Sequence, residues 1–290
     1  MDRYPKISII TPSYNQGKYI EATIQSVSGQ NYPNLEYIIM DGGSEDNSIE
    51  IIKKYEPYLY HWESHKDNGQ ADAINQGFSI STGDIMAWLN SDDMYLPGTL
   101  DYIAQIFLQE ELERDLRIVF GNCLRLNEEL FETCGSNVGQ AHKTLDITLC
   151  DYIIQPSAFW TRKTFEAVGK LEERLTYGFD WEWFIRAKRS GVKLQPIDKF
   201  LSIYRIHADH KTKTGGEKRL QELSNIYRNF HSERMALTYL KYKGREDNIA
   251  GLNRIMRKLR IDQFVNPTKL LYHIYFAGIR WEEFENIRRM

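Results

Sequence analysis

The sequence predicts an α/β fold: a mostly parallel sheet with flanking helices, followed by a C-terminal helical appendage. Three observations predict it. Short β-branched runs alternate with helix-patterned segments over the first 110 residues. Three of those runs end at polar tips, and beyond Thr214-Gly215-Gly216 the pattern becomes wholly helical.

The elements follow in order. Ile7-Ser8-Ile9-Ile10 is β-branched and breaks at Thr11-Pro12-Ser13; Ile20, Ile24 and Val27 then recur at helical spacing. Leu35 to Met40 reads as a second strand ending at Asp41-Gly42-Gly43, with Ser44 expected to cap a short helix bearing Ile49, Ile51 and Ile52. Tyr58 to Trp62 reads as a third strand, Ala71, Ile74 and Phe78 as the next helix face, and Ile85 to Leu89 as a fourth strand stopping at Asn90-Ser91-Asp92-Asp93. Strands alternating with helices of this length imply βαβ crossovers. Ligands of such sheets bind beyond the carboxyl ends of the strands, so the three tips should converge on one crevice. From about 115 to 210 the pattern is less regular, with strands expected at 117–120 and 157–160, a helix over 179–189 and extended chain over 194–206. Helices are expected over 217–243, 247–259 and 267–287, which sets a domain boundary at 1–212 and 213–290.

Composition bounds the function. The chain has 290 residues and a net charge of −3, which argues against a general nucleic-acid binder. Cys123, Cys134 and Cys150 form no Cys-x-x-Cys pair, so neither a zinc ribbon nor a disulfide framework is expected. The first apolar run is too short for a signal-peptide core, and no apolar stretch reaches the roughly 18 residues that span a bilayer. A cytoplasmic protein is expected, with a peripheral position at the inner face of the membrane left open.

Asn90-Ser91-Asp92-Asp93 follows a buried strand, where adjacent carboxylates are costly unless a cation binds them. Mg²⁺ or Mn²⁺ with substrate phosphates answers that need. The bland alternative is a polar turn leading into the helix that follows Leu96-Pro97-Gly98.

Four ordered segments together carry a resemblance: Ile7 to Asn15; Tyr37 to Ser44; Asp67 to Gly77; and Trp88-Leu89-Asn90-Ser91-Asp92-Asp93. In this order they resemble the family 2 glycosyltransferases of GT-A fold, a Rossmann-like architecture, over residues 6 to about 212. The resemblance implies a nucleotide-diphosphate sugar donor and a divalent cation, Mn²⁺ or Mg²⁺. It implies that Thr11, Pro12, Tyr14 and Asn15 line the nucleotide pocket, that Asp41 binds the base, and that Asp92 holds metal and diphosphate. Asn90 departs from the acidic first position of the metal motif, so Asp92 carries that role. Lys66 and Asp67 are expected to border the nucleotide, and Asp93 and Gln155 to serve the acceptor side.

An acceptor hydroxyl must lose a proton, which calls for a carboxylate in reach. Gly178-Phe179-Asp180-Trp181-Glu182-Trp183 offers one among aromatic neighbours, and the resemblance aligns Asp180 with the family's base, although Phe179 replaces the usual preceding acid. A helix cap is the bland alternative for Asp180. In Tyr204-Arg205-Ile206-His207, the imidazole suits a divalent cation and Arg205 a phosphate.

The net charge hides an asymmetry. Residues 1–210 hold 20 basic against 31 acidic residues, or −11; residues 211–290 hold 17 against 9, or +8. Arg254, Arg257, Lys258 and Arg260 lie beside Ile255, Leu259 and Ile261, and Leu270, Leu271, Ile274, Tyr275, Ile279 and Trp281 follow. Such a stretch either packs as a helical appendage or homodimer surface, or lies on an anionic membrane.

The functional expectation is an inverting, metal-assisted transfer of a sugar to a glycan or lipid-linked acceptor hydroxyl, as in polysaccharide or cell-surface glycan biosynthesis. A non-catalytic sugar-nucleotide or glycan-binding module is the rival suggested by Asn90 and Phe179. A nucleotidyltransferase would carry a Gly-rich, basic loop after the first strand, and a dinucleotide enzyme Gly-x-Gly-x-x-Gly; neither is present.

Overall fold

The computed structural model describes residues 4–109, 116–127, 132–207, 211, 215–260 and 266–290. The chain divides into two compact units: residues 1–143 with 153–214, and residues 144–152 with 215–290.

The first unit is built on one mixed sheet. Its strands are β1 (Ile7–Ser13), β2 (Leu35–Asp41), β3 (His61–Ser64), β4 (Ile85–Trp88), β5 (Met94–Tyr95), β6 (Arg117–Asn127), β7 (Glu132–Gly135), β8 (Ala158–Thr161) and β9 (Lys193–Ile206). The order is β3-β2-β1-β4-β8-β6-β9-β5, with β7 on β6. Strands β3, β2, β1 and β4 pair in parallel, as do β6 and β9, while β8 pairs antiparallel with β4 and β6 and β5 antiparallel with β9. The helices are α1 (Ile20–Ser28), α2 (Ser48–Lys54), α3 (Gln70–Ile80), α4 (Thr99–Gln109), α5 (Val138–Thr144), α6 (Arg162–Val168) and α7 (Phe179–Arg189).

Alternation along the strands puts helices on both faces. Ile7, Ile9, Tyr37, Ile39, Ile85 and Ala87 join Ile20, Ile24, Leu100 and Phe107 in one core. On the other face Trp88, Trp160, Phe78, Phe165 and Trp183 form an aromatic cluster with centroid separations of 4.8 to 6.4 Å.

Several elements differ from expectation. Pro57 suits the first turn of a helix, so Glu56–Tyr58 forms a 3₁₀ turn and the third strand begins at His61. Ser44 does not cap α2, which starts at Ser48; its hydroxyl is taken by Asp41. Strand β6 runs to Asn127, well past the expected 120, because β9 pairs with its full length.

The second unit contains α8 (Gly216–Phe230), α9 (Glu233–Lys243), α10 (Glu246–Lys258), α11 (Pro267–Tyr275) and α12 (Trp281–Ile287). The helix expected over 217–243 breaks because Ser232 caps a new one, its Oγ accepting from Met235 N at 3.2 Å. The rings of Tyr227 and Tyr239 pack at 5.2 Å, and Tyr242, Phe276 and Phe284 form a second cluster. Residues 144–152 belong here: Tyr227 Oη donates to the Leu149 carbonyl at 2.6 Å, and Asp146 N donates to Asn286 Oδ1 at 3.0 Å. Ile261 lies outside the described residues, as does the Leu271 side chain. Among the described residues no helix is long and apolar enough to cross a membrane.

Candidate active site

The tips of β1 and β2 interlock. The Asp41 carboxylate accepts from Gly43 N (3.2 Å), Ser44 N (2.8 Å), Ser44 Oγ (2.6 Å) and Ser64 Oγ (2.7 Å), so it holds its own turn closed. Gly43 sits at φ +81°, and a Cβ there would meet the Lys66 backbone N at 3.3 Å, which is why the turn takes glycine. Asn15 (φ +52°) donates its N–H to Ser44 Oγ and accepts at Oδ1 from Glu45 N. Gln16 N and Gly17 N donate to Ser48 Oγ and Asp46 Oδ2 at 2.9 and 2.8 Å. The loop between β1 and α1 is thereby rigid, yet Ser13 Oγ, Gln16 Oε1 and Tyr19 Oη are buried in it without a hydrogen-bond partner among the described residues. Such groups are uncommon in native interiors, and a bound polar ligand is one ordinary explanation. The Tyr14 ring projects from the same loop, 61% exposed.

The tip of β4 is organised by β9. In the antiparallel β5·β9 pair, Met94 faces Ile203, which brings Asp92 and Asp93 alongside Arg205. Arg205 N donates to Asp93 Oδ1 at 3.2 Å; its guanidinium donates to the carbonyls of Asp92 and of Tyr19, the latter at 3.0 Å. His207, one residue past the strand end and 2% exposed, brings Nε2 to 3.3 Å from Asp92 Oδ2. Its ring stacks on Tyr19 with centroids 4.1 Å apart and planes 26° off parallel. Burial, and then the neighbouring Asp92 charge, push Asp93 well above the ordinary carboxylate range, with Arg205 opposing. Asp93 is 1% exposed, so it faces the protein interior.

Helix α7 begins over the same tip. Phe179 packs 6.2 Å from Trp88, and Lys211 Nζ lies 5.7 Å from the Phe179 ring while donating to Gln70 Oε1 at 2.7 Å. Asp180 follows in the first turn, half-buried, accepting from Trp181 N at 2.8 Å. Glu182 is turned away, paired with Arg186 at 2.7 Å.

Residues 8–129 match the family model described as glycosyl transferase family 2. The chain carries a glycosyl transferase family 2 domain. It is 33% identical over 218 residues to an uncharacterised glycosyltransferase of Nostoc sp., covering 70% of this chain and 65% of that relative. It is 32% identical over 127 residues to glycosyltransferase GlyG of Streptococcus pneumoniae serotype 4, covering 42% and 40%. The chain spans about two thirds or less of the length of the first curated relatives it matches. Among solved structures, Staphylococcus aureus TarS 1–349 with UDP-GlcNAc aligns at TM-score 0.59 and 16% identity, covering 83% of this chain and 73% of that one. The mannosyltransferase PcManGT from Pyrobaculum calidifontis, in complex with GDP-Man and Mn²⁺, aligns at 0.62 and 15%, covering 99% and 84%. These likenesses establish the GT-A fold with added C-terminal helices.

The structure gathers Asn90, Asp92 and Asp93 of the matched segment with Gln155, Arg205 and His207 from beyond it at the β4 tip. Asn15, Asp41, Lys66 and Asp67 border the neighbouring β1 and β2 tips; Lys66 is exposed, and Asp67 accepts from Gly69 N at 2.8 Å. Pro12 is buried, and so is Thr11, whose hydroxyl pairs with Tyr37 Oη at 3.1 Å. The buried Arg205 guanidinium donates to two backbone carbonyls. Tyr19 belongs to the site and lies in none of the four segments; Gln70 belongs to it too and lies in the Asp67 to Gly77 segment, where it was assigned no role. The nearest sequence signal was their position at the openings of α1 and α3, beside polar tips.

Proposed function

We propose that this chain is an inverting glycosyltransferase that moves a sugar from a nucleotide-diphosphate donor to a glycan or lipid-linked acceptor hydroxyl, assisted by a divalent cation. The observation that carries it is the 3.3 Å separation of Asp92 Oδ2 and His207 Nε2 at the strand-end crevice. Two neighbouring ligands of an octahedral ion with bonds of about 2.1 Å lie about 3 Å apart, so the pair fits two adjacent positions, leaving the others to phosphate oxygens and water. Among the described residues no third His, Cys, Asp or Glu joins them. Bound there, Mn²⁺ or Mg²⁺ would supply Lewis-acid stabilisation of the departing diphosphate.

The chain's own groups account for the remaining chemistry. The interlocked tips of β1 and β2 form the nucleotide pocket, with the exposed Tyr14 ring available to stack on a base. Solved relatives of this fold carry UDP-GlcNAc or GDP-Man, which supports a nucleotide-sugar donor without deciding the base. Asp180 takes the acceptor proton. The acceptor oxygen bonds to the anomeric carbon from the face opposite the leaving group, the sugar–phosphate bond breaks, and its electron pair departs on the diphosphate. The first turn of α7 favours the charged carboxylate at Asp180. Three free cysteines suit a reducing, cytosolic setting. In the C-terminal unit, exposed Ile255, Leu259, Leu270, Ile274 and Tyr275 occur with exposed Arg254, Arg257 and Lys258, which supports contact with an anionic membrane or a second copy.

Asp180→Asn and Asp92→Ala are each expected to reduce transfer by roughly 10² or more in kcat/KM. Measured transfer from a panel of UDP-, GDP- and dTDP-sugars that survives either substitution at near-parental rate refutes the assignment of roles.

A further inference from the structure

Three carboxamides and an ammonium form an unbroken chain across the tip of β4. Gln155 Nε2 donates to the Trp88 carbonyl at 2.7 Å. Asn90 Nδ2 lies 3.4 Å from both Gln155 Oε1 and Asp93 Oδ2. Asn90 Oδ1 accepts from Gln70 Nε2 at 2.8 Å, and Gln70 Oε1 accepts from Lys211 Nζ at 2.7 Å.

The two ends set the direction of every link. A backbone carbonyl only accepts and an ammonium only donates. Gln155 must therefore turn its NH₂ to Trp88 and its oxygen to Asn90, and Gln70 must turn its oxygen to Lys211 and its NH₂ to Asn90. The central position needs an acceptor on one side and a donor on the other. An amide has both, whereas a carboxylate presents acceptors on both sides.

We propose that Asn90 is a positioning residue whose carboxamide is fully engaged by this chain, so that the position calls for Asn rather than Asp and the bound cation is left to Asp92 and His207. This rests on the cation-assisted reading above. A carboxylate at position 90 would set an oxygen against the buried Gln155 Oε1 and the buried Asp93 carboxylate, two acceptors, at a half-buried position that now supplies the donor facing both.

Thermal unfolding without metal or nucleotide tests the amide chain alone. Asn90→Asp is expected to lower Tm by about 5 °C. Asn90→Asp combined with Asp93→Asn restores a donor across the 3.4 Å gap and is expected to recover about half of that loss. An unchanged Tm in the single variant, or a double variant no better than the single one, overturns the proposal. Mn²⁺ titration with UDP and with GDP, followed by electron paramagnetic resonance of free Mn²⁺, tests the cation side. Asn90→Ala should stay within about twofold of the parent, and Asp92→Ala should lose binding. Weakening of about tenfold or more in Asn90→Ala, or tightening of about tenfold in Asn90→Asp, overturns the proposal. A parent protein that takes up no Mn²⁺ with either nucleotide refutes the cation-assisted reading instead, and the thermal measurement then decides the amide chain by itself.

Discussion

Tyr19→Phe separates two things one side chain does. The Tyr19 ring is 5% exposed, stacks on His207 at 4.1 Å, and lies 4.9 Å from Lys18 Nζ and 5.2 Å from the Arg205 guanidinium carbon. Its hydroxyl is buried without a hydrogen-bond partner among the described residues. A buried hydroxyl left unsatisfied costs about 1–3 kcal/mol. Removing it forfeits only the contacts of one oxygen, so Tyr19→Phe should stabilise the ligand-free protein by about 1 kcal/mol, a Tm rise of about 2–4 °C for a chain of this size. Tyr19→Leu instead removes a stacked pair worth about 0.5–1.5 kcal/mol and two cation–ring contacts of about 0.5–1 kcal/mol each, so it should destabilise by about 2 kcal/mol. Differential scanning fluorimetry of the three proteins, with and without UDP and Mn²⁺, reads both effects. A fall of about 2 °C or more for Tyr19→Phe without ligand would show that the hydroxyl is satisfied in the free protein and refute the reasoning.

Glu36 supplies a pH-dependent expectation away from the site. Burial would raise its pKa, but donors at Ser8 Oγ (2.5 Å), Thr82 N (2.6 Å) and Thr82 Oγ1 (2.7 Å), with Lys6 nearby, outweigh that and hold it below the ordinary range. A depressed folded-state pKa gives stability that is present above the unfolded value of about 4.3 and lost as pH falls through the folded value. Glu36→Gln should therefore be about 2 kcal/mol less stable at neutral pH, with the gap closing in acid; equal urea midpoints at pH 7 would contradict this. For the C-terminal unit, Arg254→Glu with Lys258→Glu should abolish salt-sensitive co-sedimentation with anionic vesicles. Parental binding that is absent, or that survives both charge reversals, rules out the membrane surface in favour of a second copy or neither.

The strand tips were legible because each is a local signal: a β-branched run, then a polar stop, as at Asp41 and at Asn90 to Asp93. The resemblance ran through those same tips, so the fold was anticipated. Ser44 was misplaced because its hydroxyl had two acceptable uses, a helix cap or the Asp41 carboxylate, and only the closeness of the turn chose the second. Tyr19 escaped notice because an aromatic at a helix opening is ordinary, and its partner His207 is 188 positions away.

The sequence by itself determined the alternation of strands and helices, the acidic and basic halves, and which side chains had the chemistry to hold a cation or move a proton. Those properties follow from residue type and short-range periodicity. Tertiary structure alone decided how the polar groups are used: the β5·β9 register sets Arg205 against backbone carbonyls, and Gln155 and Gln70 orient the Asn90 amide. Hydrogen bonds are short and directional, so their partners depend on the positions of strands far apart in the chain, which no local pattern encodes.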